Sequence, residues 1–179
     1  MRVHDTAIAG THLIEVPRFD DERGHFAVMW APHDFEPFGL VTELSQCNIA
    51  FNRRAGTIRG MHHQAPPFEQ VKLVRCSRGA IFDVVMDLRP ESPSYQKWFG
   101  VELTPDSNQI LYAPKGVAHG YQTLVDDTEV VYLVSGPYKP THERGVRWDD
   151  PAFGVRWPDP GVERIVNARD GSFPAFVPI

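Results

Sequence analysis

The sequence predicts an all-β fold, a double-sheet jelly roll with short peripheral helices, and three features of the chain carry that prediction. Sixteen prolines and 14 glycines in 179 residues break the chain into short segments, which suits strands joined by tight turns better than a few long helices. Between Thr42 and Tyr132 the apolar segments run about five to nine residues, with turn signals at the spacing of a sandwich or barrel. Only the stretch from Ala31 to Phe38 has the marks of a helical turn, with Pro32 suited to a first helical position.

Eight strands are read in order, at residues 40–49, 56–64, 70–77, 80–89, 98–104, 109–114, 118–124 and 129–135. Arg78-Gly79, Pro105-Asp106 and Lys115-Gly116 mark turns between them. Eight is the number a jelly roll of two Greek keys requires. The stretch from Lys139 onward is rich in Pro, Gly, Trp and Asp. It reads as irregular surface packing, in which Trp148, Phe153 and Trp157 clamp the barrel rather than line a site.

With 42% hydrophobic and 23% charged residues, the chain is expected to form a single domain over residues 1–179. It shows no internal repeat, low-complexity tract or linker-like shift of composition. Acidic residues outnumber basic ones, 23 to 18, and the net charge is −5. Nucleic acid and anionic membranes are thereby excluded as partners, and any phosphate must be held by a few local arginines. Cys47 and Cys76 have neither zinc-knuckle nor disulfide-framework spacing, and are read as buried free thiols. The polar N-terminus lacks a signal-peptide pattern, and no run approaches the roughly 20 apolar residues of a membrane span, so a cytoplasmic protein is expected.

The chemistry concentrates in one place. Arg59, His62, His63, Gln64, Glu69 and Lys72 fall within a single strand pair, although burying such groups without partners costs several kcal/mol. Either that stretch is an exposed edge or it lines a polar cavity. The strand period of two sends His62 and His63 to opposite faces, His62 inward and His63 outward. It also separates Arg59 from His62, so both line one site only if the strand bends, and Gly60 is the natural place for the bend. Lys72 alternates with Val74 and Cys76, so it is either an inward cation for an oxyanion or a lysine whose stem packs while its ammonium reaches water. Tyr132, between valines and leucine, reads by itself as an ordinary core tyrosine, and His119 by itself is a weak signal.

Jelly rolls of the cupin kind often hold a metal, and His62, His63, Glu69 and His119 are the candidate ligands here. The adjacent histidines have the wrong parity for two ligands from one strand, which argues against a metal site.

Seven ordered blocks nevertheless give the chain a recognisable likeness. They are F-D-D-E-R-G-H-F at 19–26, Q-C-N at 46–48, I-R-G-M-H-H-Q at 58–64, K-L-V-R-C at 72–76, I-F-D-V-V-M-D-L-R-P-E-S-P-S-Y at 81–95, P-K-G-V-A-H-G-Y at 114–121 and G-V-R-W-D-D-P-A-F-G at 145–154. In this order they resemble the dTDP-4-dehydrorhamnose 3,5-epimerase family over nearly the whole chain. The resemblance implies a cupin-type double-stranded β-helix that dimerises and works without a metal or other cofactor. Its substrate would be a nucleotide-diphosphate-linked 4-keto-6-deoxyhexose, inverted at C3 and C5 or at C3 alone.

The resemblance also implies roles. His62 matches the general base and Asp170 the carboxylate that orients it. Lys72 matches the cation near the keto oxygen and Tyr132 the acid on the opposite face. Arg23, Phe26, Gln46, Asn48, Arg59, His119, Tyr138 and Arg169 fall where relatives hold the nucleotide and sugar, with partner subunits as one source of the stacking Phe26 and Tyr138. The chain departs from the family pattern at Ala27-Val28-Met29-Trp30, at Cys47-Asn48-Ile49-Ala50 and at Arg169, where a lysine is common. These positions lie toward the nucleotide end, so a CDP- or GDP-linked sugar stays open. Two further readings remain: a sugar-nucleotide ketoisomerase using the same base, and a non-catalytic or metal-binding cupin.

Overall fold

A computed structural model of the chain describes residues 1–178. The first sheet has six strands in the order β1 (Arg2–Asp5), β2 (His12–Glu15), β10 (Gln109–Ala113), β7 (Lys72–Arg78), β12 (Thr128–Val134) and β5 (Gln46–Asn52). The second runs β13 (Glu143–Gly145), β6 (Thr57–Gln64), β11 (Val117–Thr123), β8 (Ile81–Asp87) and β9 (Trp98–Leu103), with β14 (Ile165–Val166) alongside β6. All pairings are antiparallel except β14 with β6. A separate hairpin, β3 (Arg18–Asp21) with β4 (Gly24–Ala27), stands off both sheets.

Strand alternation gives each sheet two apolar faces. One buried cluster, including Val74, Cys76, Ile81, Val85, Leu111 and Val130, draws on strands of both sheets. A second, around Ile14, Leu73, Ile110 and Phe35, lies where the short helix α1 (Pro32–Phe35) meets the first sheet. The third packs Met61, Val84 and Met86 of the second sheet under Val146 and Phe153 of the C-terminal segment. Asp83, between the apolar positions of β8, takes the same side as Ile81 and Val85, and is fully buried there.

This is the jelly roll expected, and each of the eight strands read from the sequence has a counterpart. The first of them begins at Gln46 rather than 40. Its ladder with β12 starts at Gln46, opposite Val134, while Leu40, Val41 and Leu44 pack as coil against the second cluster. Six strands of two to four residues were not anticipated. Trp157 packs edge-on against Phe82, and Phe153 against Phe176, as the clamp reading expects. The C-terminal segment is not wholly irregular, however, because β13 and β14 flank β6 and a one-turn helix α2 (Ala168–Gly171) follows them. Cys76 is a buried free thiol as expected, but Cys47 is free and exposed, since its strand β5 lies at the edge of the sheet. No described helix is long and apolar enough to cross a membrane.

Candidate active site

Strand β6 carries the centre of the site, and a bulge shapes it. Arg59 pairs with Tyr121 of β11 and His62 pairs with His119, so β6 spends one residue more than β11 between the two pairs. The extra residue lies at Gly60-Met61, where Gly60 has φ of 130°, and it turns Arg59 and His62 onto the same side. The close approach demands glycine, because a Cβ on Gly60 would sit 2.5 Å from Gly120 Cα.

Helix α2 lies against β6 and delivers Asp170. The Asn167 side chain caps the helix by accepting a bond from the Asp170 amide at 2.7 Å. Asp170 is 1% exposed. Its Oδ1 contacts His62 Nε2 at 2.8 Å and its Oδ2 accepts from the Gly60 amide at 3.1 Å. Burial opposes ionisation of this carboxyl, but the His62 bond and charge, the Gly60 amide and Arg169 outweigh it, and its pKa lies below the ordinary value. A carboxylate on Nε2 holds the proton there, leaving Nδ1 with the lone pair. Phe173 meets the His62 ring edge-on, with centroids 5.9 Å apart.

Lys72 projects from the start of β7 and donates from Nζ to the His62 carbonyl at 3.0 Å. Its pKa falls to about 8, chiefly because burial disfavours the ammonium, with Glu143 and Asp83 acting the other way. Tyr132 on β12 sits beside Val74 and Asn48 in the ladder. Burial raises its phenol pKa, Glu143 adds to the rise and Arg59 opposes it. His119 is 7% exposed and its Nε2 contacts Asp83 Oδ1 at 2.7 Å, forming a second imidazole–carboxylate pair beside the first.

These groups surround one cleft. An inner cavity of about 210 Å³ is lined by Arg59, His62, Lys72, His119, Tyr132 and Asp170, among others. It shares His62, Lys72 and Tyr132 with an outer cavity of about 360 Å³ that reaches Gln46, Asn48, Tyr138 and Glu143. Among the described residues no three His, Cys, Asp or Glu side chains group to hold a metal ion. His62 and His119 each turn a ring nitrogen to a carboxylate of its own instead.

A family model described as dTDP-4-dehydrorhamnose 3,5-epimerase matches residues 5–177. The chain belongs to the dTDP-4-dehydrorhamnose 3,5-epimerase family. A 3,5-epimerase of Sinorhizobium fredii is 43% identical over 154 residues, covering 86% of this chain and 79% of that protein. A dTDP-4-dehydrorhamnose 3-epimerase of Streptomyces niveus is 38% identical, covering 84% and 73%. The crystal structure of the 3,5-epimerase from Bacillus anthracis, with TDP and pyrophosphate bound, superposes with a TM-score of 0.93 at 36% identity, covering 98% and 99% of the chains. The chain is thus an isomerase of the epimerase class that acts on sugar nucleotides.

Within this epimerase-family chain, the sequence-derived candidates divide into two groups. His62, Asp170, Lys72, Tyr132, Arg59, His119, Gln46, Asn48, Tyr138 and Arg169 fall in or at the rim of the cleft. Arg23 and Phe26 do not. Arg23 lies at the tip of the β3–β4 hairpin with its side chain 84% exposed and paired to Asp21, and Phe26 is exposed on the same hairpin. His63 is only partly buried, yet its Nδ1 is covered and without a hydrogen-bond partner among the described residues. The outward direction expected for it therefore does not reach open solvent. Burial, helped by the charges of Lys72, Arg144 and His62, lowers its pKa to about 4.

Two acidic residues escaped the sequence reading. Asp83 holds His119. Glu143 on β13 binds both the Tyr138 hydroxyl and the Arg169 guanidinium. Its burial raises its pKa, but Tyr138, Arg169 and His62 bring it below the ordinary value. Only the parity of Asp83 within an apolar strand was a signal in the sequence.

Proposed function

We propose that this chain inverts C3 and C5, or C3 alone, of dTDP-4-keto-6-deoxyglucose, with His62 as base, Lys72 as enolate stabiliser and Tyr132 as acid. The observation that carries the reading is the convergence of the Asp170-bonded His62, the Lys72 ammonium and the Tyr132 phenol on one cavity. His62 Nδ1 takes the proton α to the C4 ketone, and the C–H electron pair moves to the carbonyl oxygen as an enolate. Lys72, with His119 nearby, supplies positive charge and hydrogen bonds to that oxygen. Tyr132 returns a proton to the opposite face, and solvent resets the imidazolium and phenolate. The raised pKa of Tyr132 keeps the phenol protonated until it is needed.

Arg59, Gln46, Asn48, Tyr138 and Arg169 serve the nucleotide end in this reading, with Arg59 on the diphosphate. Arg23 and Phe26 reach a cleft only in a homodimer, where the β3–β4 hairpin of one chain covers the site of the other. The working compartment is the cytoplasm, where such nucleotide sugars are made. The test is incubation in heavy water with dTDP-4-keto-6-deoxyglucose, following C3 and C5 by NMR with His62→Ala alongside. Deuterium at both carbons, lost in the variant, is expected of a double epimerase, and deuterium at C3 alone of a single one. Migration of the carbonyl instead would mean a ketoisomerase. The absence of exchange with dTDP-, CDP- and GDP-linked sugars would leave a binding protein.

A further inference from the structure

We propose that Asn52 is a positioning residue that holds the Arg59 guanidinium in place for the substrate diphosphate. Asn52 ends β5, is 2% exposed, and is bonded on every side. Its amide nitrogen donates to the Ala50 carbonyl at 3.2 Å, the Thr128 carbonyl at 3.2 Å and the Tyr121 hydroxyl at 3.3 Å. Those bonds tie β5 to β12 and β11, and strand stitching accounts for them. It does not account for the bond between the oxygen and Arg59.

Asn52 Oδ1 accepts from Arg59 Nε at 2.8 Å, the shortest of its side-chain bonds, and from the Tyr121 hydroxyl at 3.5 Å. Arg59 has no carboxylate partner among the described residues, and its other hydrogen bond runs from Nη2 to the Phe51 carbonyl at 3.4 Å. A flexible arginine at a pocket wall loses rotamer freedom when it clasps an anion. An acceptor fixed behind Nε removes that loss beforehand, without neutralising the positive charge as a carboxylate would. A neutral amide is therefore the side chain that orients the fork and leaves its full charge for phosphate oxygens. Tyr121 completes the support. It is 4% exposed, its hydroxyl contacts Asn52, and it stands opposite Arg59 in the β6–β11 ladder.

The inference rests on Arg59 as a diphosphate contact, and a mutant cycle separates the two. Asn52→Ala is expected to raise both KM for dTDP-4-keto-6-deoxyglucose and the calorimetric Kd for dTDP about tenfold. Its kcat should stay within about twofold. Arg59→Ala should raise KM at least as much, and the double variant should match Arg59→Ala alone, because Asn52 acts only through Arg59. A general loosening of the barrel would instead lower kcat as well. Additive effects, or an Asn52→Ala variant with unchanged KM, overturn the inference while leaving Arg59 on the diphosphate. An Arg59→Ala variant with unchanged KM overturns the Arg59 assignment and the inference with it. Should Asn52→Ala not fold, Asn52→Ser, whose hydroxyl is too short to reach Nε, enters the same cycle with the same expectations.

Discussion

At the scale of single residues, the site is built from pairs whose members are distant in sequence. His62 draws its orientation from Asp170, and His119 from Asp83. Asp170→Asn replaces the carboxylate with an amide of the same shape, removing the charge that holds the proton on Nε2. The expected result is a fall in kcat of at least about 100-fold in a variant that still folds. A loss of less than about threefold would show that His62 needs no carboxylate to work. Lys72 provides a separate readout through pH. Its pKa of about 8 keeps it charged at neutrality and discharges it above that value. The free-enzyme kcat/KM should therefore fall as pH rises through about 8, and a flat profile to pH 10 would remove Lys72 from the enolate. The basic and aromatic partners were legible because they are conspicuous in a strand. Asp83 and Glu143 were not, because a carboxylate becomes telling only once its partner is known.

At the scale of elements, the legible strands are those with a continuous apolar run. Strand β8, buried along most of its length, was found. Strand β3 was not, since all four residues are exposed and only its ladder with β4 makes it a strand. Helix α2 was invisible for a related reason: one turn has no periodicity to detect, although its cap Asn167 and cargo Asp170 are plain in the structure. The bend at Gly60 was foreseen from parity alone, and the bulge places it there. Gly60→Ala tests how much depends on that bend. The new Cβ would meet Gly120 Cα at 2.5 Å and the His119 carbonyl at 3.0 Å, at a φ that L-residues rarely adopt. The strand must shift, separating Arg59 from His62. A destabilisation of about 3 kcal/mol or more, with loss of exchange activity in whatever folds, is expected by urea unfolding and NMR. Wild-type stability and activity would show that the bulge is incidental.

At the scale of the whole molecule, two groups on strands β6 and β8 set how the fold responds to acid, and they act in adjoining windows. His63 has a folded pKa of about 4 against an ordinary 6.5. Between those values the unfolded chain binds a proton that the folded chain refuses. Stability is therefore complete above about pH 6.5 and declines as pH falls toward 4, by up to about 3 kcal/mol. Asp87 works from the other charge type. Burial opposes its ionisation, but bonds from Arg89, Ser92 and Ser94 and from the Arg89 amide prevail, and its pKa lies at about 2 against 3.8. Its contribution is present above about pH 3.8 and is lost as pH falls through about 2. Melting temperature should accordingly decline in two stages. His63→Phe removes the covered, unpartnered nitrogen as well as the titration, so it should erase the upper stage, leave the lower one, and cost little at pH 7. Asp87→Asn should do the reverse, and it should lower stability at pH 7 because Arg89 loses its charged partner. If His63→Phe left the decline between pH 6.5 and 4 untouched, a different group whose pKa changes on folding would have to carry it.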